Sequence, residues 1–166
     1  MEIVDQHVFV NIEKLKEELK RNYYFIKDVL DNLNFTIERM VCSLHDPNNK
    51  EKYHEDKKLW QESENLLVAA LEELKEEAKL KEYLVQEKEA AFYGPKLDFE
   101  AKAADGKYIT IATIQLDFVL PQKFGLNYID KENEEQNPVI IHQTPIGTYQ
   151  RFISLLLEQT GGKLPF

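Results

Sequence analysis

The stretch KLDFEAKAADGKYITIATIQLDF, Lys96 to Phe118, decides how this chain folds. Apolar and polar residues alternate from Leu97 to Ala103 and again from Lys107 to Phe118, the period-2 pattern of half-buried strands. Asp105-Gly106 between them is a strong hairpin signal, because tight hairpin turns need residues that accept positive φ. Two strands joined so closely pair antiparallel. Alternation along the second strand predicts one apolar face of Tyr108, Ala112, Ile114, Leu116 and Phe118 and an opposite face carrying Thr113, Gln115 and Asp117. Just upstream, Tyr93-Gly94-Pro95-Lys96 reads as a turn at the mouth of the first strand.

Working outward, Ile12, Leu15, Leu19, Tyr23, Ile26, Leu30 and Leu33 recur at steps of three and four behind Asn11, a plausible N-cap. A second helix is marked by Leu59, Ser63, Leu67, Ala70, Leu71, Leu74 and Ala78, and a third runs from Thr148 to Thr160 and stops at Gly161-Gly162. Further strands are expected at His7 to Val10, through Phe35, Ile37, Arg39 and Val41, at Tyr83 to Gln86, Leu126 to Ile129 and Pro138 to Gln143. Hairpins together with long amphipathic helices predict an α+β fold, an antiparallel sheet with helices packed on it, in a single domain covering residues 1–166. A chain of 166 residues can bury about 70% of the surface it exposes when unfolded, ample for one core.

The net charge is −9, spread over the helices, which argues against a broad phosphate-binding face. No run of apolar residues is long enough for a signal peptide or a membrane span, and a lone cysteine, Cys42, excludes an internal disulfide; a cytoplasmic protein is expected. The polar row on the Lys107–Phe118 strand is by periodicity alone a solvent-facing side, and a ligand-lining row is the alternative. PVIIHQTPIGTYQRF, Pro138 to Phe152, delivers His142 on an apolar strand and Arg151 on the first turn of the closing helix, where free amides attract anions. His7 and His142 are each, taken alone, ordinary strand histidines. Cys42, His45 and His54 can be drawn as a metal site but lack a fourth ligand. Phosphate-loop and nucleophile-elbow motifs are absent.

Taken together, AFYGPKLDF, TIQLDFVLPQKFGLNYI and PVIIHQTPIGTYQRFISLLLEQTGG resemble the closing half of the catalytic domain of threonyl-tRNA synthetases, class II aminoacyl-tRNA synthetases, the last of them resembling motif 3. DQHVFV followed by an amphipathic helix is similar to the segment just after motif 2, so the resemblance covers essentially the whole chain in order. It implies a partial class II catalytic core in which His7 and His142 are two of three zinc ligands. The third, a cysteine, belongs to the region before this chain, and Cys42 is no substitute by position. Zinc in that family takes the amino and hydroxyl groups of threonine, which excludes valine.

The same resemblance implies that Asp5 receives the threonine hydroxyl, that Tyr93 lies beside the substrate amine and that Lys96 lies near the carboxylate and adenylate. Thr113 and Gln115 line the adenylate pocket, and Arg151, with Thr148 ahead of it, meets ATP, the substrate that arrives with Mg2+. The implied reaction is activation of threonine and its transfer to tRNA by a homodimer. Motif 1, motif 2, the editing domain and the anticodon-binding domain have no counterpart in these residues, so the chain by itself is expected to be an inactive piece of the ligase. The alternative is a stand-alone paralogue serving as a binding or assembly module. Gln143 and Gln150, where the family has charged residues in motif 3, speak for that alternative; Thr110 and Ile3 also depart from the family's usual glutamines.

Overall fold

Leu15, Leu19, Tyr23, Ile26 and Leu30 are all buried, so the stripe read from the sequence is the face that the first helix turns to the sheet. A computed structural model describes residues 2–53, 56–78 and 83–164. In chain order it contains β1 (Gln6–Val10), a short 3-10 turn (Ile12–Lys14), α1 (Leu15–Asn32), β2 (Arg39–Ser43), α2 (Lys57–Ala78) and β3 (Tyr83–Gln86). Then come β4 (Lys96–Lys102), β5 (Tyr108–Asp117), α3 (Val119–Lys123), β6 (Tyr128–Ile129), β7 (Glu135–Gln136), β8 (Val139–Thr144) and α4 (Tyr149–Thr160). The main sheet runs β1-β8-β5-β4-β2-β3, antiparallel throughout except for a parallel pairing of β2 with β3 at one edge.

Helices α1, α2 and α4 share one core with one face of this sheet, whose contributions include Met40, Cys42, Leu97, Phe99, Ala112, Ile114, Leu116 and Ile141. Burying a leucine, isoleucine, methionine or phenylalanine side chain of this set stabilises the fold by about 1.5–3 kcal/mol relative to exposure. Asn11 does cap: its Oδ1 accepts from the Lys14 amide at 3.0 Å, although the turn it opens is 3-10 and leaves Ile12 half exposed. Asp105-Gly106 forms the β4–β5 turn, with Gly106 at φ 85°. At the closing helix, Gly161 takes the left-handed conformation at φ 59°.

Several expectations change. Phe35 and Ile37 belong to no strand, and β2 begins only at Arg39; Phe35 instead packs on Phe152 with ring centroids 5.0 Å apart. Residues 126–129 yield only the two-residue β6, which pairs with β7 in a separate small ribbon. His54 lies outside the described residues.

Tyr108 is on the opposite face from the one alternation assigned. Phe99 pairs with Ala112 but Glu100 pairs with Thr110, so Ile111 is an extra residue, a β-bulge. Ile111 and Ala112 are both buried in the core, and the parity of everything before them is inverted. Tyr108 therefore lies beside Arg39, whose guanidinium sits 3.7 Å from its ring centroid.

Cys42 is completely buried on the core face, and burial, with lesser contributions from Glu64 and Asp98, pushes its thiol up to about 12 from an ordinary 9.0. A thiol reagent is expected to modify it only under denaturing conditions. Because the folded value is the raised one, the neutral thiol favours the fold in full below about 9, and that contribution is lost as pH rises from 9.0 to about 12. Denaturation of a Cys42→Ser variant alongside the parent over that range is the measurement.

Candidate functional site

The register places Ser43 beside Lys96, Lys96 beside Gln115, Gln115 beside His142 and His142 beside His7. These side chains form one row across the sheet on the face opposite the core. A parallel row holds Val41, Asp98, Thr113 and Thr144. The polar row that alternation assigned to β5 is thus one surface with Lys96 and Asp98 of β4 and His142 of β8, although these strands are not all neighbours in sequence.

Over this surface sits the turn Tyr93–Lys96. The Pro95 carbonyl accepts from the Leu116 amide at 3.0 Å and the Tyr93 carbonyl from the Phe118 amide at 3.4 Å, so the turn is bonded to the end of β5. Gly94 lies so close to β5 that a Cβ would stand 1.8 Å from the Leu116 carbonyl oxygen. Only a residue without a side chain permits that approach. The Tyr93 hydroxyl donates to Gln115 Oε1, and the Tyr93 ring lies 5.3 Å from that of His142. Burial, with the charges of Asp117 and Asp5, raises the Tyr93 phenol and keeps it a neutral donor.

The Lys96 ammonium donates to Asp98 Oδ2 at 2.6 Å. Asp98 is buried, and its carboxyl is raised because desolvation outweighs the attraction of Lys96. Asp98 Oδ1 has no hydrogen-bond partner. His7 and His142 meet edge to face with ring centroids 4.7 Å apart. His142 Nε2 lies 3.0 Å from Asp117 Oδ2, and His7 Nε2 lies 3.6 Å from Asp5 Oδ2 at the exposed end of the row.

Thr148 occupies the N-cap of α4 and bridges to Ile3, without a capping bond from its own side chain. Arg151 is exposed, and its Nη1 donates to the Thr110 carbonyl at 3.2 Å, just before the bulge. Gly147, at φ 58°, would bring a Cβ to 2.8 Å from the Ile111 carbonyl oxygen, so the turn before α4 is seated directly on that bulge. The structure therefore gathers His7, Lys96, Thr113, Gln115 and His142 in two adjacent rows, with Tyr93 against Gln115 and His142 and Asp5 near His7, while Arg151 bonds to Thr110 and Thr148 opens α4.

The rival cluster does not assemble from what is described. Cys42 faces the core, whereas His45 Nδ1 pairs with Glu64 at 2.8 Å and its ring stacks on Trp60 at 4.5 Å beside a separate cavity of about 230 Å³. Among the described residues no three His, Cys, Asp or Glu side chains converge as a metal set. Two further side chains are central to the surface: Asp98, which sequence reasoning did not single out and which pairs with Lys96, and Asp117, which alternation reads only as a member of the polar row and which lies beside His142. Both fall on the polar side of their strands by alternation, but only pairing shows what they touch.

Residues 1–160 match the family described as the tRNA synthetase class II core domain (G, H, P, S and T). The chain belongs to that family. Threonine–tRNA ligases of Mycoplasma pneumoniae and Mycoplasma genitalium are 44% and 46% identical to it over 165 residues. In each case the match takes in 99% of this chain and 28% of the relative, so this class II core spans little more than a quarter of their length. A crystal structure described as the RNA binding domain of threonyl-tRNA synthetase from Cryptosporidium parvum Iowa II superposes with a TM-score of 0.82 at 32% identity, covering 98% of this chain and 38% of that one. The α+β expectation is met by a class II synthetase sheet. No described helix is long and apolar enough to cross a membrane.

Proposed function

We propose that this class II core forms one wall of the threonyl-adenylate site of a threonine–tRNA ligase. The observation that carries the reading is the row Lys96, Gln115, His142 and His7 lying beneath Tyr93, on a chain so similar to ligases of that name. Lys96 supplies a positive charge for the carboxylate or phosphate, Tyr93 and Gln115 fix donors and acceptors around the amine and adenylate, and Thr113 extends the same face. Arg151, with Thr148, adds a cation at the helix start for ATP, which arrives with Mg2+. Asp5 is the acceptor for the threonine hydroxyl. Such a site accelerates reaction by positioning and by charge stabilisation at the transferring phosphoryl group.

His7 and His142 suit a zinc ion in donor type and proximity, two imidazoles on adjacent strands, and would supply two of its protein ligands. Bound there, zinc supplies open coordination positions for the amino and hydroxyl groups of threonine. With a third ligand and a motif 2 arginine outside these residues, the piece alone binds zinc weakly and does not activate threonine. In the whole enzyme the partners are tRNA and a second copy.

Purified chain is expected to give no threonine-dependent ATP–pyrophosphate exchange, and exchange by the chain alone would refute the reading that these residues are inactive by themselves. A non-hydrolysable threonyl-adenylate analogue is expected to bind about ten- to a hundredfold more weakly to Lys96→Ala than to the parent, since a hydrogen bond to a charged group contributes about 1.5–3 kcal/mol. Equal affinity, measured by calorimetry, counts against the site. The stand-alone module gains nothing from Gln143, which lies on the core face and donates to the Asn22 carbonyl at 2.9 Å, away from the surface.

A further inference from the structure

We infer that Asp117 is the positioning residue for His142, holding its ring with the proton on Nε2 and the lone pair on Nδ1. Asp117 ends β5 and is completely buried. A carboxylate in such a place needs a partner for each oxygen. Its Oδ1 accepts from the amides of Val119 and Leu120 at 3.0 and 2.9 Å, bonds that also open α3. Its Oδ2 faces His142 Nε2 at 3.0 Å. The two amides fix the plane of the carboxylate, and a carboxylate only accepts. Nε2 must then be the donor, which leaves Nδ1 as the nitrogen able to take a metal.

Of the groups around His142, Tyr93 donates to Gln115 and Lys96 pairs with Asp98, while His7 meets the His142 ring edge to face with its Nε2 3.6 Å from Asp5 Oδ2. Gln115 is the direct cross-strand neighbour of His142, so Asp117, two residues on along the same face, reaches it diagonally. One buried side chain thus sets both the direction of the chain leaving β5 and the tautomer of a ring on β8. This inference rests on the reading of His142 as a zinc ligand only for its consequence; the tautomer itself is independent of metal.

Long-range 15N–1H NMR of the metal-free chain at about pH 8 is expected to show the Nε2–H form of His142. An Nδ1–H form in the parent would overturn the inference without any variant. In Asp117→Asn the amide oxygen can still accept from Val119 and Leu120, while the NH2 donates to Nε2, so the tautomer is expected to invert with the fold retained. Asp117→Ala removes both roles and is expected to lower stability as well. Zinc affinity, measured by competition with a chromophoric chelator, is expected to fall about 10- to 100-fold in Asp117→Asn, the usual loss when an outer partner of a ligating histidine is removed. A folded Asp117→Asn chain that keeps Nε2–H overturns the inference. Zinc uptake unaltered in His142→Ala overturns the ligand reading instead, and leaves the tautomer result standing.

Discussion

Replacing Gly94 with alanine is expected to destabilise the chain by at least about 3 kcal/mol and to displace Tyr93 and Lys96 together. The added Cβ would lie 1.8 Å from the Leu116 carbonyl oxygen and 2.9 Å from its carbon. Extra methyl groups in well-packed cores typically cost about 1–3 kcal/mol when the neighbours are side chains that can shift. Here the neighbour is the backbone of β5, a strand paired on both sides by β4 and β8. Relief requires the turn to lift away, which breaks the bond between the Leu116 amide and the Pro95 carbonyl, or β5 to bend out of its ladder. For a chain of this length each kcal/mol corresponds to about 2–4 °C in Tm, so a fall of at least about 6 °C is expected by thermal denaturation. Gly106→Ala is the control. At Gly106 a Cβ meets nothing within 4 Å, and only the strain of its φ of 85° remains, at a cost of about 1 kcal/mol. Equal effects at the two glycines would show that close approach to β5 is not what Gly94 provides.

Ile141→Ala is expected to cost about 2–5 kcal/mol, the range for truncating a fully buried aliphatic side chain. Ile141 is completely buried, lies between Leu116 on β5 and Val8 on β1, and belongs to the core shared with the helices. It also holds His142 on the opposite face by alternation, so weakening β8 from below loosens the pairing of His142 with Gln115 and His7. Urea unfolding should show a lower midpoint with little change in slope. Phe124→Ser, at a side chain 70% exposed, should stay within about 0.5 kcal/mol of the parent. A loss at Phe124 as large as at Ile141 would mean that the core is not where the sheet face places it.

Part of the candidate site was legible before any fold was known, because Thr113 and Gln115 sit on a strand that alternates. Thr113, Gln115 and Asp117 could be assigned to the polar side of β5 from their spacing, and the Tyr93–Lys96 turn announced itself through Gly94 and Pro95. The resemblance to threonyl-tRNA synthetases then joined His7 to His142, a link that periodicity could not supply across so many residues. Asp98 was passed over, and Asp117 was given no partner, because acidic residues on polar strand faces are common and burial is a property of the assembled sheet.

The limits of reading by period are clearest at β5. Spacing alone determined the hairpin at Asp105-Gly106, the apolar stripe of α1 and the core side of β5 from Ala112 onward, since these depend on neighbours within a few residues. Strict alternation then put Tyr108 on the wrong side, because the bulge at Ile111 is a mismatch of length between β5 and β4 and is invisible in either strand by itself. Register did the rest. Which side a residue faces is local only where the ladder has no bulge, and which residue stands beside it depends on strands brought together from opposite ends of the chain. That pairing put the carboxylate of Asp117 against His142, His142 against His7, and Arg39 over Tyr108.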